Sequence, residues 1–332
     1  MTAPSFGLQT HVDFLYEHCG RSTTPVAADE LREAFRRRLG LAGRSLPPLE
    51  FERIHAVDRT TYTEEKIRLA ADEGVSIPVY MLVPKGRPPF KPVLVFPGHD
   101  PGIDYCIGNF PDPDTARIHR SAGNHYAQYL AEHGYLVAAV EQRGLGERRI
   151  GTTHDNGERR SCRELAFAYL MAGRTLIGER CWDGMCAATY LRTRPEAAVG
   201  GLGCAGHSGG GATALWLAVL DERIRVVVVS GYFSSFRDSI LSIDHCECNY
   251  VPGMLEAGEM GDLAALLAPR PFCAVNGRED PLFPAAAAAR EFETVRRAYA
   301  ARNAEDACRL ALHPGGHVYD CGLGLSWLDR WM

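Results

Sequence analysis

The segment that most constrains the fold of this chain is Gly206-His207-Ser208-Gly209-Gly210. A strand-like Gly-Leu-Gly-Cys-Ala at 201–205 precedes it, and a helix-like Ala-Thr-Ala-Leu-Trp-Leu-Ala-Val-Leu at 212–220 follows it. A strand that yields to a helix within so few residues needs a very tight turn, and neighbours without side chains allow the serine to sit at its apex. Such turns belong to sheets whose strands alternate with helices.

The rest of the chain agrees. Beyond residue 98, helical and short apolar stretches alternate: helix 124–133, strand 136–140, a helical region from about 163 to 191, strand 201–205, helix 210–220 and strand 226–229. Strand 272–275, helix 285–301, strand 309–312 and a terminal helix around 325–331 complete the series. This pattern predicts a mostly parallel central sheet with helices on both faces. Ahead of it, four β-like stretches at 51–59, 63–71, 77–83 and 92–96 give an antiparallel start. Residues 8–40 carry apolar positions at helical spacing in two pieces, with Gly40 as a stop. We therefore expect a helical extension over 1–50 and one α/β domain over 51–332. Two stretches break the rhythm. Residues 100–120 are too polar and Pro-rich for a core element, and residues 233–267 are expected to form a short lid or pocket wall.

Charge excludes some partners. With 36 Lys+Arg against 41 Asp+Glu, the net charge of −5 gives no electrostatic reason to expect a nucleic acid or an anionic membrane. The start of the chain shows no basic segment followed by an apolar one, and no window reaches the ~18 apolar residues of a bilayer span. A cytoplasmic protein acting on a small molecule is the expectation. Eleven cysteines, an odd number scattered from Cys19 to Cys321, do not look like the staples of a small secreted domain and should be reduced.

A serine on such a turn becomes a nucleophile when a base takes its proton and an acid orients the base. Asp280 lies in the loop Gly277-Arg278-Glu279-Asp280-Pro281 after a predicted strand, with Glu279 as its rival, and His317 ends Pro314-Gly315-Gly316-His317 after the next one. Ser208, Asp280 and His317 are the candidate catalytic residues, and His313 is expected to be structural. Acyl transfer also needs N–H donors for the oxyanion. Gly209 supplies one. In Pro97-Gly98-His99-Asp100 proline cannot donate, which leaves His99 as the second, with its ring either facing the pocket or part of a plain turn.

On these motifs, together with Glu141–Arg149 (EQRGLGERR), Gly173–Pro195 (GRTLIGERCWDGMCAATYLRTRP) and NGREDPLFP, the chain resembles the α/β-hydrolases of the acetyl xylan esterase-like and dienelactone hydrolase-like group over most of residues 50–320. The resemblance implies an α/β-hydrolase fold and a serine esterase, since dienelactone hydrolases proper use cysteine. It also implies that Arg143 and Asp183 are structural. Relatives commonly carry Asp where Glu141 stands. No cofactor and no metal are implied. His245-Cys246-Glu247-Cys248 has metal-ligating residue types but no second, properly spaced pair; it is expected to shape the pocket wall, with His207, Tyr250 and Met254 toward the substrate. A small ester is the expected partner, and the leading helices and first strands are surfaces a homodimer could use. The same triad also serves acyltransferases, cyclases, lyases and, on related scaffolds, peptidases, while a non-catalytic ligand-binding protein is the alternative of another class.

Overall fold

A computed structural model describes residues 7–19, 27–99, 102–151 and 161–332; Asp100 of the loop quoted above lies outside them. Nine strands form one sheet: β1 (Phe51–Asp58), β2 (Tyr62–Asp72), β3 (Val75–Pro84), β4 (Pro92–Phe96), β5 (Leu136–Val140), β6 (Leu202–His207), β7 (Ile224–Ser230), β8 (Phe272–Gly277) and β9 (Cys308–His313). Their order is β1-β2-β3-β5-β4-β6-β7-β8-β9. The pairs from β1 through β3 to β5 are antiparallel, and those from β5 through β4 to β9 are parallel. The chain leaves β4 toward β5 on one side and later returns to β6 on the other. This reversal opens a crevice at the carboxyl ends of β4 and β6, where sheets of this kind take their ligands.

Burial explains the composition of the strands. β4, β5, β6 and β8 are buried at every position, as their runs of Val, Ala, Gly and Leu require when both faces carry helices. One face is covered by the helices Leu176–Thr193 and Gly209–Leu220, the other by Tyr126–Glu132 and Cys321–Trp331. All twelve residues of Gly209–Leu220 are buried, which matches a helix that is apolar all round. Helix Ala28–Arg38 joins this core, with Phe35 edge-on to Trp216 at a ring separation of 5.2 Å, so the leading extension is partly built into the domain.

Three sequence expectations change. The helical region 163–191 is two helices, Cys162–Met171 and Leu176–Thr193, separated where Gly173 takes φ 72° and the Thr175 side chain caps the Gly178 N–H. Residues 102–120 do reach the core: Ile103, Cys106 and Ile107 are fully buried beneath the helix Tyr126–Glu132. Within 233–267, Phe233, Ile240, Met260 and Leu263 also belong to the core, and only residues 243–246 face the crevice.

Candidate active site

The turn after β6 carries Ser208 at φ 54° and ψ −121°, a backbone region disfavoured for any residue with a Cβ. Two contacts impose it. Ser208 N–H is held by the Ser230 carbonyl at 2.9 Å, and the helix that follows starts directly over the end of β4. A Cβ at Gly210 would stand 1.9 Å from the Phe96 carbonyl oxygen, so only glycine permits that approach. The result is a serine presented at the N-terminus of a buried helix, whose first N–H groups have no intrahelical acceptor.

Asp280 and His317 come from the loops after β8 and β9. His317 Nδ1 lies 2.8 Å from Asp280 Oδ2, while Asp280 Oδ1 accepts the N–H groups of Leu282 at 2.8 Å and Phe283 at 3.2 Å. Burial by itself would raise the Asp280 carboxyl, but the bond to His317 and the two backbone donors outweigh it and lower its pKa. The carboxylate therefore stays charged and fixes the imidazole tautomer. Glu279, the rival acid, is exposed. His313 is buried, with its Nδ1 accepting the Gly315 N–H at 3.2 Å, which is the structural role expected of it.

His207 packs its ring 4.7 Å from that of His317 and approaches Ser230 Oγ at 3.2 Å. Burial, and then the neighbouring His317, push its pKa down to about 3, so it is a neutral wall of the site. Gly231, at φ 56°, is where the two imidazoles need room: a Cβ there would lie 2.7 Å from the His207 ring and 3.1 Å from that of His317.

Across the crevice, the Gly98 Cα hydrogens face the Ser208 side chain, and the His99 ring lies against Gly209. Neither the His99 nor the Gly209 N–H donates to a backbone carbonyl among the described residues. The loop carrying His99 is held from behind by residues that sequence reasoning missed. Tyr126 Oη donates to the Phe96 carbonyl at 2.7 Å, and Gln142 Nε2 donates to the Pro97 carbonyl while its Oε1 accepts from Thr213 Oγ1 of the serine's own helix. Gln142 thus ties the loop after β4 to the helix that follows Ser208. Its position inside EQRGLGERR was the available signal.

Ser208, His317, His99 and His207 open onto one cavity of about 420 Å³, lined also by Ile118, Leu282 and residues 243–246. Tyr250 and Met254 do not line it, which corrects their assignment to the substrate pocket. Tyr250 Oη donates to the Ile240 carbonyl, Met254 is buried in the core, and both border a separate cavity next to Cys19 and Phe236. Their packing against Ile240, Phe236 and Val251, on the side of Cys19, holds them away from the crevice. Arg143 and Asp183 sit below the serine turn in a bidentate pair of 2.8 and 2.9 Å, extended by Glu179 and Arg148. That network braces the loop after β5 against the helix Leu176–Thr193.

YtaP of Bacillus subtilis (strain 168), whose name as a hydrolase is provisional, is 26% identical over 293 residues, 86% of this chain and 93% of its own. A Bacteroides fragilis NCTC 9343 structure, provisionally named as an acetyl xylan esterase, superposes with a TM-score of 0.79 over 99% of this chain and 96% of its own at 16% identity. The chain has the α/β-hydrolase fold. A glucuronoyl esterase from Solibacter usitatus shares it, with a TM-score of 0.67 over 93% of this chain and 95% of that one at 14% identity. No protein-family model matches the chain. In this fold the elbow after β6, the acid loop after β8 and the histidine loop after β9 are the positions from which a nucleophile, its orienting acid and its base converge. No helix among the described residues is long and apolar enough to cross a membrane.

Proposed function

We propose that this chain is a serine hydrolase that cleaves a carboxylic ester of a small molecule. The observation that carries the reading is the hydrogen-bonded pair of His317 and the buried Asp280 opening onto the same cavity as Ser208 on its strained turn. His317 takes the Ser208 proton as Oγ attacks the ester carbonyl, and the N–H groups of Gly209 and His99 receive the oxyanion. As the tetrahedral intermediate collapses, His317 returns the proton to the leaving alcohol. Water, deprotonated by the same imidazole, then attacks the acyl-enzyme and frees the acid. The esterase names carried by proteins of the same fold support this choice of substrate class. A cavity of about 420 Å³ walled by Ile118, Ile243 and Leu282 suits a short acyl or modest alcohol group. All eleven cysteines are free, which favours a reducing compartment such as the cytoplasm.

Turnover of p-nitrophenyl esters from acetate to octanoate tests the proposal. Steady-state hydrolysis favouring the shorter acyl chains is the expected result. A folded protein that turns over none of them, yet forms an acyl-enzyme that an added alcohol or amine discharges, would mark the transferase alternative.

A further inference from the structure

The loop after β4, the start of the helix Cys162–Met171 and the wall segment 245–249 meet beside the active site, and each brings soft donors to the meeting point. The donor atoms of His99, Cys162 and Cys246 all lie within 4.8 Å of one another. Cys248 Sγ lies 3.1 Å from His99 Nε2 and is buried in the same small cluster as Cys162, against which Cys246 packs. None of these thiols is in a disulfide. We propose that His99, Cys162, Cys246 and Cys248 bind one zinc-class divalent ion in a closed, four-coordinate structural site that braces the oxyanion loop.

A second, independent observation concerns charge. Arg180 is fully buried, and its guanidinium donates to the Arg143 carbonyl at 2.8 and 3.1 Å and to Cys162 Sγ at 3.2 Å. One of its terminal nitrogens, Nη1, has no hydrogen-bond partner among the described residues. Glu179 and Asp183, the nearby carboxylates, pair with Arg44, Arg143 and Arg148, and no carboxylate among the described residues pairs with Arg180. A buried cation of this kind needs buried negative charge close by. Thiolates supply it, but three thiolates packed together need more than one guanidinium. Three thiolates, a neutral imidazole, one divalent cation and Arg180 sum to zero.

The chemistry suits a structural rather than a catalytic ion. Zinc bonds to sulfur at about 2.3 Å and to imidazole nitrogen at about 2.0–2.1 Å, which sets donor separations of roughly 3.5–3.8 Å. The His99, Cys162 and Cys246 donors, within 4.8 Å of one another, need to close by only about 1 Å to reach that spacing, and Cys248 Sγ already stands 3.1 Å from the His99 ring. With three sulfurs and one nitrogen the tetrahedron is complete, leaving no position for water or substrate. The surroundings hold the thiolates in place: Asn249 Nδ2 donates toward Cys248 Sγ at 3.6 Å, Arg180 donates to Cys162, and Leu145, Ala166 and Leu176 enclose the cluster in apolar side chains. The His99 ring would be a ligand while its backbone N–H serves the oxyanion. The ion would therefore fix the loop's position without touching the reacting atoms.

The test uses the full chain, loaded with excess Zn²⁺ and dialysed, with metal measured by mass spectrometry and the same protein prepared with Co²⁺. About one zinc per chain is expected, together with the thiolate-to-cobalt charge-transfer absorption and intense ligand-field bands of a tetrahedral cobalt site. Cys162→Ser and Cys246→Ser should each lower retained zinc at least about tenfold, whereas the distant Cys308→Ser keeps it. If those variants fail to fold, the cobalt spectrum of the parent decides. Retention of less than about a tenth of an equivalent by the folded parent, a weak octahedral cobalt spectrum, or a disulfide among Cys162, Cys246 and Cys248 would overturn the proposal. None of these readouts depends on ester turnover.

Discussion

Replacing Ser208 by glycine should make the protein more stable than replacing it by alanine, although both variants lack the nucleophile. At φ 54° and ψ −121° an L-residue costs of order 1–3 kcal/mol, and Ser208→Ala keeps that cost because alanine retains the Cβ. Glycine removes it but brings a more flexible unfolded chain, worth roughly 0.5–1 kcal/mol in the opposite direction. The net gain for Ser208→Gly over Ser208→Ala is about 1 kcal/mol. With an unfolding entropy near 2.1 cal/mol/K per residue over 332 residues, 1 kcal/mol corresponds to about 1.5 °C in Tm. Scanning calorimetry at one heating rate, supported by urea midpoints, resolves that difference. A glycine variant equal to or less stable than the alanine variant would refute the claim that the elbow stores backbone strain for catalysis.

Three further outcomes follow from the site and its supports. Asp280→Asn should lower kcat on p-nitrophenyl acetate by roughly 10³–10⁴ because it removes the charge that fixes the His317 tautomer, while Glu279→Gln stays near the parent; the reverse pattern would make Glu279 the orienting acid. Gln142→Leu leaves the Pro97 carbonyl without its donor and cuts the link from that loop to Thr213, so kcat should fall about 10–100-fold with KM within about threefold; a change confined to KM would contradict its positioning role. Glu141 is buried beside Gly146 and Ile103, and burial raises its carboxyl pKa to about 7. For a raised acid, the folded state favours the protonated form, so its contribution to stability is complete below about 4.5 and lost as pH rises through about 7. Glu141→Gln should then gain stability relative to the parent between pH 5 and pH 8, by at most about 3 kcal/mol, in urea titrations at the two pH values; a gain that shrinks with pH would contradict the sign.

The parts of this structure that were legible in the sequence share a physical character. β4 and β5 match their expected bounds to the residue, because short Val- and Ala-rich runs between polar turns fit strands buried on both faces. The serine turn was legible for a steric reason: glycine at 206, 209 and 210 between a strand and a helix leaves few alternatives. The sequence favours Asp280 over its rival Glu279, and burial supplies the physical distinction, since adjacent loop acids differ in which one the chain turns inward. The break at Gly173 was hidden by continuous helical composition, although a glycine followed by a Thr cap is a stop-and-start signal. Ile103, Cys106 and Ile107 were masked by the prolines and charges around them. The Cys-His cluster was missed for a different reason: its donors come from three separate loops, and Cys246 and Cys248 gain partners only when the fold brings Cys162 and His99 to them. Local spacing rules cannot detect a site assembled by topology.

The central claim is that Ser208 is an activated nucleophile. Its most direct test is to treat the native protein with a fluorophosphonate, digest it and locate the adduct by tandem mass spectrometry. One phosphonyl group per chain is expected, on Ser208, absent after denaturation and strongly slowed in His317→Ala. No adduct on the folded protein, or an adduct at another serine, would contradict it.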